Sequence, residues 1–446
     1  MNKSLTMVQS RRRVLGWLAG AASMVAVTAC APGATRAPSS TRSPEPEPTS
    51  TAIAEPSTTQ GTEPTAAAAP TVAVEASLPS PTATPAVSAK RMVGYLPSWA
   101  IGHDYAVGDV PAMNLTHLVY AFAKVTDTGE CAMASPKVDP SAFAELRRLR
   151  TNSHGLQMSI SIGGAGASDR FPNATNSPEA RTRFASSCAS FMKQHGFDGI
   201  DVDWEYPSDA DQKVNFTALL VELRSQLDQL GQNDARHYIL TIAAPAGPAH
   251  YVNLELDRLA SSVDWINLMT YAFHGTWSQV TNFNAPLFAS STDPSSTIQR
   301  IIYNTDAAVQ AYLGAGVPSD KIVVGVPFYG YGWKGVPDVN NGLYQQSAGL
   351  PDGTRVPGVF TYRDLKNRYV GTYTRFWHDE AQVPWLYDST AGVMITYDDP
   401  TSVAVKANYV RSHGLGGVMI WELSTDDVEH SLVSAIFDRL HAADSA

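Results

Sequence analysis

Residues 196–207 read GFDGIDVDWEYP, with four acids in twelve positions and three of them alternating: Asp201, Asp203 and Glu205. Like charges this close repel, so the alternation needs a cause. The residues between them are Ile200, Val202 and Trp204, which reads as a buried strand with one apolar and one acidic face. On a strand, i, i+2 and i+4 share a face, with alternate Cα atoms roughly 6.6 Å apart. The carboxylates therefore form a ladder. Burial and mutual repulsion both raise carboxyl pKa values. The ladder is expected to hold shared protons and to keep Glu205, last on the strand, protonated near neutral pH and ready to donate. A metal site would need further oxygen or histidine ligands in register, and the segment offers none. A solvated acidic turn would not alternate with large apolar side chains.

Around this strand the chain alternates short apolar runs with helical stretches. The runs are 92–97, 117–123, 158–164, 199–205, 238–244, 265–271, 321–328 and 416–423, with helices expected at 141–152, 178–195, 210–230, 296–315 and 401–413. Such alternation argues for βαβ units and a parallel sheet. Eight strands suggest closure into a (β/α)8 TIM barrel, and no Gly-rich nucleotide loop follows the first strand to favour an open doubly wound sheet. The ladder then points into the barrel and climbs to its C-terminal end, where barrel active sites sit. Residues of about 329–400, rich in aromatics and turn formers, exceed a simple crossover and read as a small α+β subdomain inserted between strands 7 and 8.

The first ninety residues have another character. Residues 1–29 carry Arg11, Arg12 and Arg13, an apolar run and then small residues, which reads as an export signal resembling the twin-arginine type. VTAC, ending at Cys30, resembles a bacterial lipobox, implying cleavage before Cys30, a lipid on its sulfur and membrane contact only through that anchor. Removing 1–29 deletes Lys3 and the three arginines but no acid, taking the formal charge from −10 to −14. Residues 30–90, rich in Pro, Thr, Ser, Ala and Glu and without an aromatic side chain before the fold begins, read as an extended linker. Acidity argues against a nucleic-acid partner. In an exported protein Cys131 and Cys188 could pair or stay free.

DGIDVDWE is similar to the DxxDxDxE signature of the family-18 glycoside hydrolases, the chitinases, with Asp198, Asp201, Asp203 and Glu205 in the motif positions. SISIGG (159–164), MTY (269–271), GVPFYGYGW and WELSTDD also fit, in barrel order over roughly 91–440. The resemblance implies a substrate-assisted, retaining mechanism in which the substrate's own N-acetyl oxygen attacks the anomeric carbon. It makes Glu205 the proton donor, gives Asp203 the N-acetyl group to orient and has Asp201 share a proton behind it. Tyr271 would hydrogen-bond the acetamido carbonyl oxygen, Tyr95 and Ser161 would support the inner aspartates, and Trp421 would lie under the sugar being cleaved. Met269 and Phe122 fall among the implied substrate-binding positions.

Two departures stand out. Ala165 occupies the place after SxGG where the family often has Trp, and Ala272 follows Tyr271 where it usually has Asp. The expected protein is a surface-anchored, monomeric chitinase acting on N-acetylglucosamine polymers or oligosaccharides, with no cofactor and no metal. The alternatives are an endo-β-N-acetylglucosaminidase acting on glycans or peptidoglycan, and a non-hydrolytic chitin-binding lectin.

Overall fold

The computed structural model describes residues 90–153 and 155–442. The expected export signal, Cys30 and the linker up to residue 89 lie outside the described residues. Eight parallel strands close on themselves: Arg91–Pro97, His117–Val125, Gln157–Gly163, Gly199–Asp203, Ile239–Pro245, Trp265–Met269, Ile322–Pro327 and Gly417–Trp421. Closure is direct, because the first strand pairs in parallel with both the second and the eighth. A short strand, Cys131–Met133, adds antiparallel to the second.

Side-chain alternation sorts the barrel into two layers. On the fourth strand, Ile200 and Val202 face outward into a core shared with Phe184, Leu219 and Leu220 of the surrounding helices. Residues of the opposite parity, among them Tyr95, Val119, Ala121, Trp265, Val323 and Met419, fill the interior. Asp198 precedes the fourth strand and works at the opposite end from the barrel mouth. It takes ion pairs from Arg150 at 3.1 Å and Arg236 at 2.7 Å and accepts the Met158 amide at 2.9 Å, an anchoring role of the kind expected at that face.

Local signals set several helix ends. Pro178–His195 begins where the Ser177 hydroxyl accepts the Ala180 amide, has proline in its first turn, and stops at Gly196 with φ 78°, as capping chemistry requires. The single helix expected over 296–315 is instead two, Thr297–Ile302 and Thr305–Gly314, because the Asn304 side chain accepts the Ala307 amide and starts a new one. Between the seventh and eighth barrel strands lies a five-stranded antiparallel sheet, in the order Val359–Thr361, Tyr329–Lys334, Val393–Thr396, Val383–Asp388, Thr374–His378. Trp333, Leu343, Trp385 and Met394 give it an apolar cluster of its own. Cys131 and Cys188 are free thiols, Cys188 buried and Cys131 partly exposed.

One correction bears on the chemistry. The fourth strand ends at Asp203, so Glu205 is not its last residue but lies just beyond it. Pairing with the fifth strand stops at Val202 and pairing with the third at Asp203, so past Asp203 the backbone has no strand partner on either side. The sixth strand likewise ends at Met269, placing Tyr271 in the turn that follows.

Candidate active site

Asp201 lies in the barrel interior with none of its surface exposed. One of its carboxylate oxygens accepts hydrogen bonds from Tyr95 (2.9 Å) and Ser161 (2.7 Å), the other from Thr241 (2.6 Å) and Asn267 (3.3 Å). Those donors come from the first, third, fifth and sixth strands. A single carboxylate thus ties five of the eight strands together. Burial raises its pKa, and the four donors pull it back down.

Asp203 stands one ladder step higher, and its surroundings differ. Its Oδ1 is buried with no hydrogen-bond partner. Burial first, then the charges of Glu205 and Asp201, push its pKa well above the carboxylate range. Four donors favour ionised Asp201, whereas nothing comparable favours ionised Asp203, so a proton held between the two belongs on Asp203. The two neighbouring carboxyls are thus held in unlike surroundings.

Glu205, at the mouth, has its pKa raised to about 7, chiefly by burial, with a hydrogen bond from the Tyr206 side chain acting the other way. Its backbone amide donates to Ser168 Oγ at 2.9 Å. The Glu205–Tyr206, Ala121–Phe122 and Trp421–Glu422 peptide bonds are cis. Tyr271 approaches the same carboxylates: burial and then the charges of Asp203, Glu205 and Asp201 push its phenol well above its usual value, keeping it a donor. Its hydroxyl meets Met419 Sδ at 3.9 Å, a weak acceptor that leaves it able to serve a stronger one.

Aromatic rings line one side of the mouth. The Trp421 ring lies 5.6 Å from Tyr95, 5.9 Å from Phe122 and 6.2 Å from Trp99. Phe122 sits over Gly164, where any Cβ would come within 2.6 Å of the ring. Met269 packs at the edge of the interior cluster. The structure therefore brings Tyr95, Phe122, Ser161, Asp201, Asp203, Glu205, Met269, Tyr271 and Trp421 to one end of the barrel or its interior. Sequence reasoning did not single out Trp99, Ser168, Tyr206, Thr241, Asn267, Tyr329 or Tyr331. Tyr271, Tyr329 and Tyr331 form a run of ring contacts, at 6.2 and 5.3 Å, from the sixth strand's end onto the inserted sheet. A signal for the last two existed, since Tyr329 and Tyr331 alternate within an already quoted motif. The others carry no local signature.

Ala272 adopts φ 57°, a left-handed conformation in which a Cβ is unfavourable. The turn is held by its amide, which donates to Asn284 Oδ1 at 2.9 Å. Ala165 is partly exposed beside Gly164 and Gly166, both at positive φ.

A closed (β/α)8 barrel with a glutamic acid whose pKa is raised to about 7, a buried and unpaired carboxyl oxygen beneath it and an aromatic wall can support carboxyl acid–base chemistry at its mouth. The comparisons narrow this. Residues 91–426 match the family described as Glycosyl hydrolases family 18, and the chain belongs to that family of glycosidases. It is 36% identical over 407 residues to Chitinase A1 of Niallia circulans, covering 78% of this chain and 58% of that protein. It is 36% identical over 388 residues to Chitinase B of Serratia marcescens, covering 75% and 77%. Among solved structures, chitinase ChiA74 from Bacillus thuringiensis superposes with a TM-score of 0.74 at 33% identity, covering 80% of this chain and 70% of that one.

Proposed function

We propose that this protein is a chitinase that hydrolyses β-1,4-N-acetylglucosamine linkages with retention, using the substrate's acetamido group as nucleophile. The observation that carries the reading is the asymmetric carboxyl array: Glu205 with a pKa of about 7 above an Asp203 whose Oδ1 is buried without a partner. In this reading Glu205 protonates the glycosidic oxygen and then accepts a proton from water. Asp203 passes its proton to Asp201 as it takes the acetamido N–H as its partner, and the carboxylate so formed stabilises the positive charge of the oxazolinium-like intermediate. Tyr271 donates to the acetamido oxygen, and Trp421 lies against the apolar face of the sugar. Tyr95 and Ser161 hold Asp201, and Met269 and Phe122 shape the wall.

The test offers the full chain chitin oligomers, deacetylated chitosan oligomers, a glycoprotein glycan and peptidoglycan, with products read by mass and early-time proton NMR. Chitin oligomers should be cleaved with the β-anomer appearing first, and fully deacetylated chains should be inert. An initial α-anomer, or ready cleavage of deacetylated chains, would show a different mechanism. Cleavage of only the glycan or peptidoglycan would move the substrate to the second enzyme class.

Ala272 makes the pH profile a second check. A carboxylate beside Glu205 would disfavour its ionised form and raise its pKa. Since the acid must be protonated, Ala272→Asp should move the alkaline limb of kcat/KM upward from near the Glu205 pKa of about 7. A limb that stays in place or moves down would show that position 272 does not act on the acid.

We also propose export followed by lipid anchoring at Cys30, with residues 30–90 as the tether; support lies in the arginine cluster and VTAC. No helix among the described residues is long and apolar enough to cross a membrane. Cys30→Ser expressed in a bacterial host should shift the protein from the membrane pellet to the soluble exported fraction. An unchanged distribution would remove the anchor.

A further inference from the structure

The carboxyl ladder ends on the strand at Asp203, yet the group read here as the acid lies beyond it. Strand pairing therefore does not place Glu205. The segment from the end of the third strand to the start of the next helix, 163–171, does so at three successive residues. Gly164 N–H donates to the Asp203 carbonyl at 2.8 Å. The Phe171 ring stacks on Trp204 with centroids 5.1 Å apart and planes 9° from parallel. Ser168 Oγ accepts the Glu205 amide at 2.9 Å. The loop lies so close that a Cβ at Gly163, whose φ is 110°, would fall 2.2 Å from the Asp203 carbonyl oxygen.

Ser168 is the polar member of this grip. It is buried, and its hydroxyl sits within 3.3 Å of the Gly164 carbonyl and 3.4 Å of the Asp203 carbonyl. A serine hydroxyl has one donor and two acceptor sites. Here the proton goes toward those carbonyls, leaving the lone pairs for the Glu205 amide. The hydroxyl thus occupies the place a neighbouring strand's carbonyl would hold if the ladder continued, with one difference. A strand carbonyl would keep Glu205 in the pleat, whereas a side chain reaching across lets the backbone turn out of the sheet and still satisfies its amide.

We propose that Ser168 is a positioning residue for the proton donor, setting the backbone at Glu205 and through it the angle at which the carboxyl meets the scissile oxygen. The inference rests on reading Glu205 as the acid. It acts first on the chemical step, because the amide that Ser168 Oγ accepts is the acid's own, whereas its link to the aromatic wall runs indirectly through Gly164, over which Phe122 sits.

The test measures Ser168→Ala and Ser168→Thr beside wild-type on a chitin oligomer, with melting temperature recorded for each. A misplacement of about 1 Å can reduce rate by about 10²-fold, so Ser168→Ala should lower kcat about 10–100-fold while KM stays near wild-type. Ser168→Thr keeps the hydroxyl and should restore most of the rate. A kcat for Ser168→Ala close to wild-type would overturn the proposal. So would a loss in which kcat, KM and melting temperature all change together without recovery by threonine, since that marks plain structural support. Glu205→Gln on the same substrate keeps the two readings apart. If it is active, the acid assignment fails; if it is inactive while Ser168→Ala matches wild-type, only the positioning role fails.

Discussion

Glu205→Gln is expected to lower hydrolysis of chitin oligomers by at least the roughly 10²–10⁴-fold that general acid catalysis supplies. The amide keeps the shape of the side chain but has no proton to transfer at this step. Binding should survive, because the aromatic wall, Asp203 and Tyr271 are untouched, and binding energy and proton transfer are separable contributions to the rate. The deciding measurement pairs single-turnover rate with oligosaccharide affinity by calorimetry on the same variant. Turnover close to wild-type would remove Glu205 from the mechanism. Lost affinity together with lost rate would mean that the side chain shapes the cleft rather than donates.

The second large effect concerns stability and lies one turn of chemistry below. Asp201→Ala is expected to destabilise the fold by about 3–5 kcal/mol, since buried donors left without an acceptor cost ~1–3 kcal/mol each. Four donors lose their acceptor at once: Tyr95, Ser161, Thr241 and Asn267. One of them keeps an acceptor, because Asn267 Nδ2 also donates to the Tyr95 hydroxyl at 3.0 Å, so the costs do not simply add. Urea unfolding would show the effect as a lower midpoint at unchanged slope. A midpoint equal to wild-type would mean that the cross-strand net contributes little and that Asp201 is retained for catalysis alone. Asp203→Ala is the contrasting variant. Its Oδ1 has no partner to orphan, so stability should change far less while activity falls.

These two carboxyls show how far local pattern reaches. Alternation along the strand was enough to predict that Asp201 and Asp203 point into a barrel, because a side-chain period of two is a property of any extended chain. It could not distinguish them. Asp201 is saturated with donors and Asp203 is not, and that difference comes from side chains on other strands, 106 positions away for Tyr95 and 66 for Asn267. The difference between the two carboxyls is therefore set by the tertiary structure.

The chain's own pattern determined the alternating strands and helices, the barrel they imply, helix limits such as Ser177 and Gly196, and the interrupted region of about 329–400. All of these depend on neighbours within a few residues: periodic burial, capping hydroxyls and the steric freedom of glycine. The tertiary structure decided the rest. It ended the fourth strand at Asp203, handed the Glu205 amide to Ser168, 37 positions away, and gathered Trp99 from beyond the first strand, Phe122 from within the second and Trp421 from the end of the eighth into one wall. No local rule foretells such contacts, because hydrogen bonds and ring packing between distant segments exist only once barrel closure has brought those segments within reach.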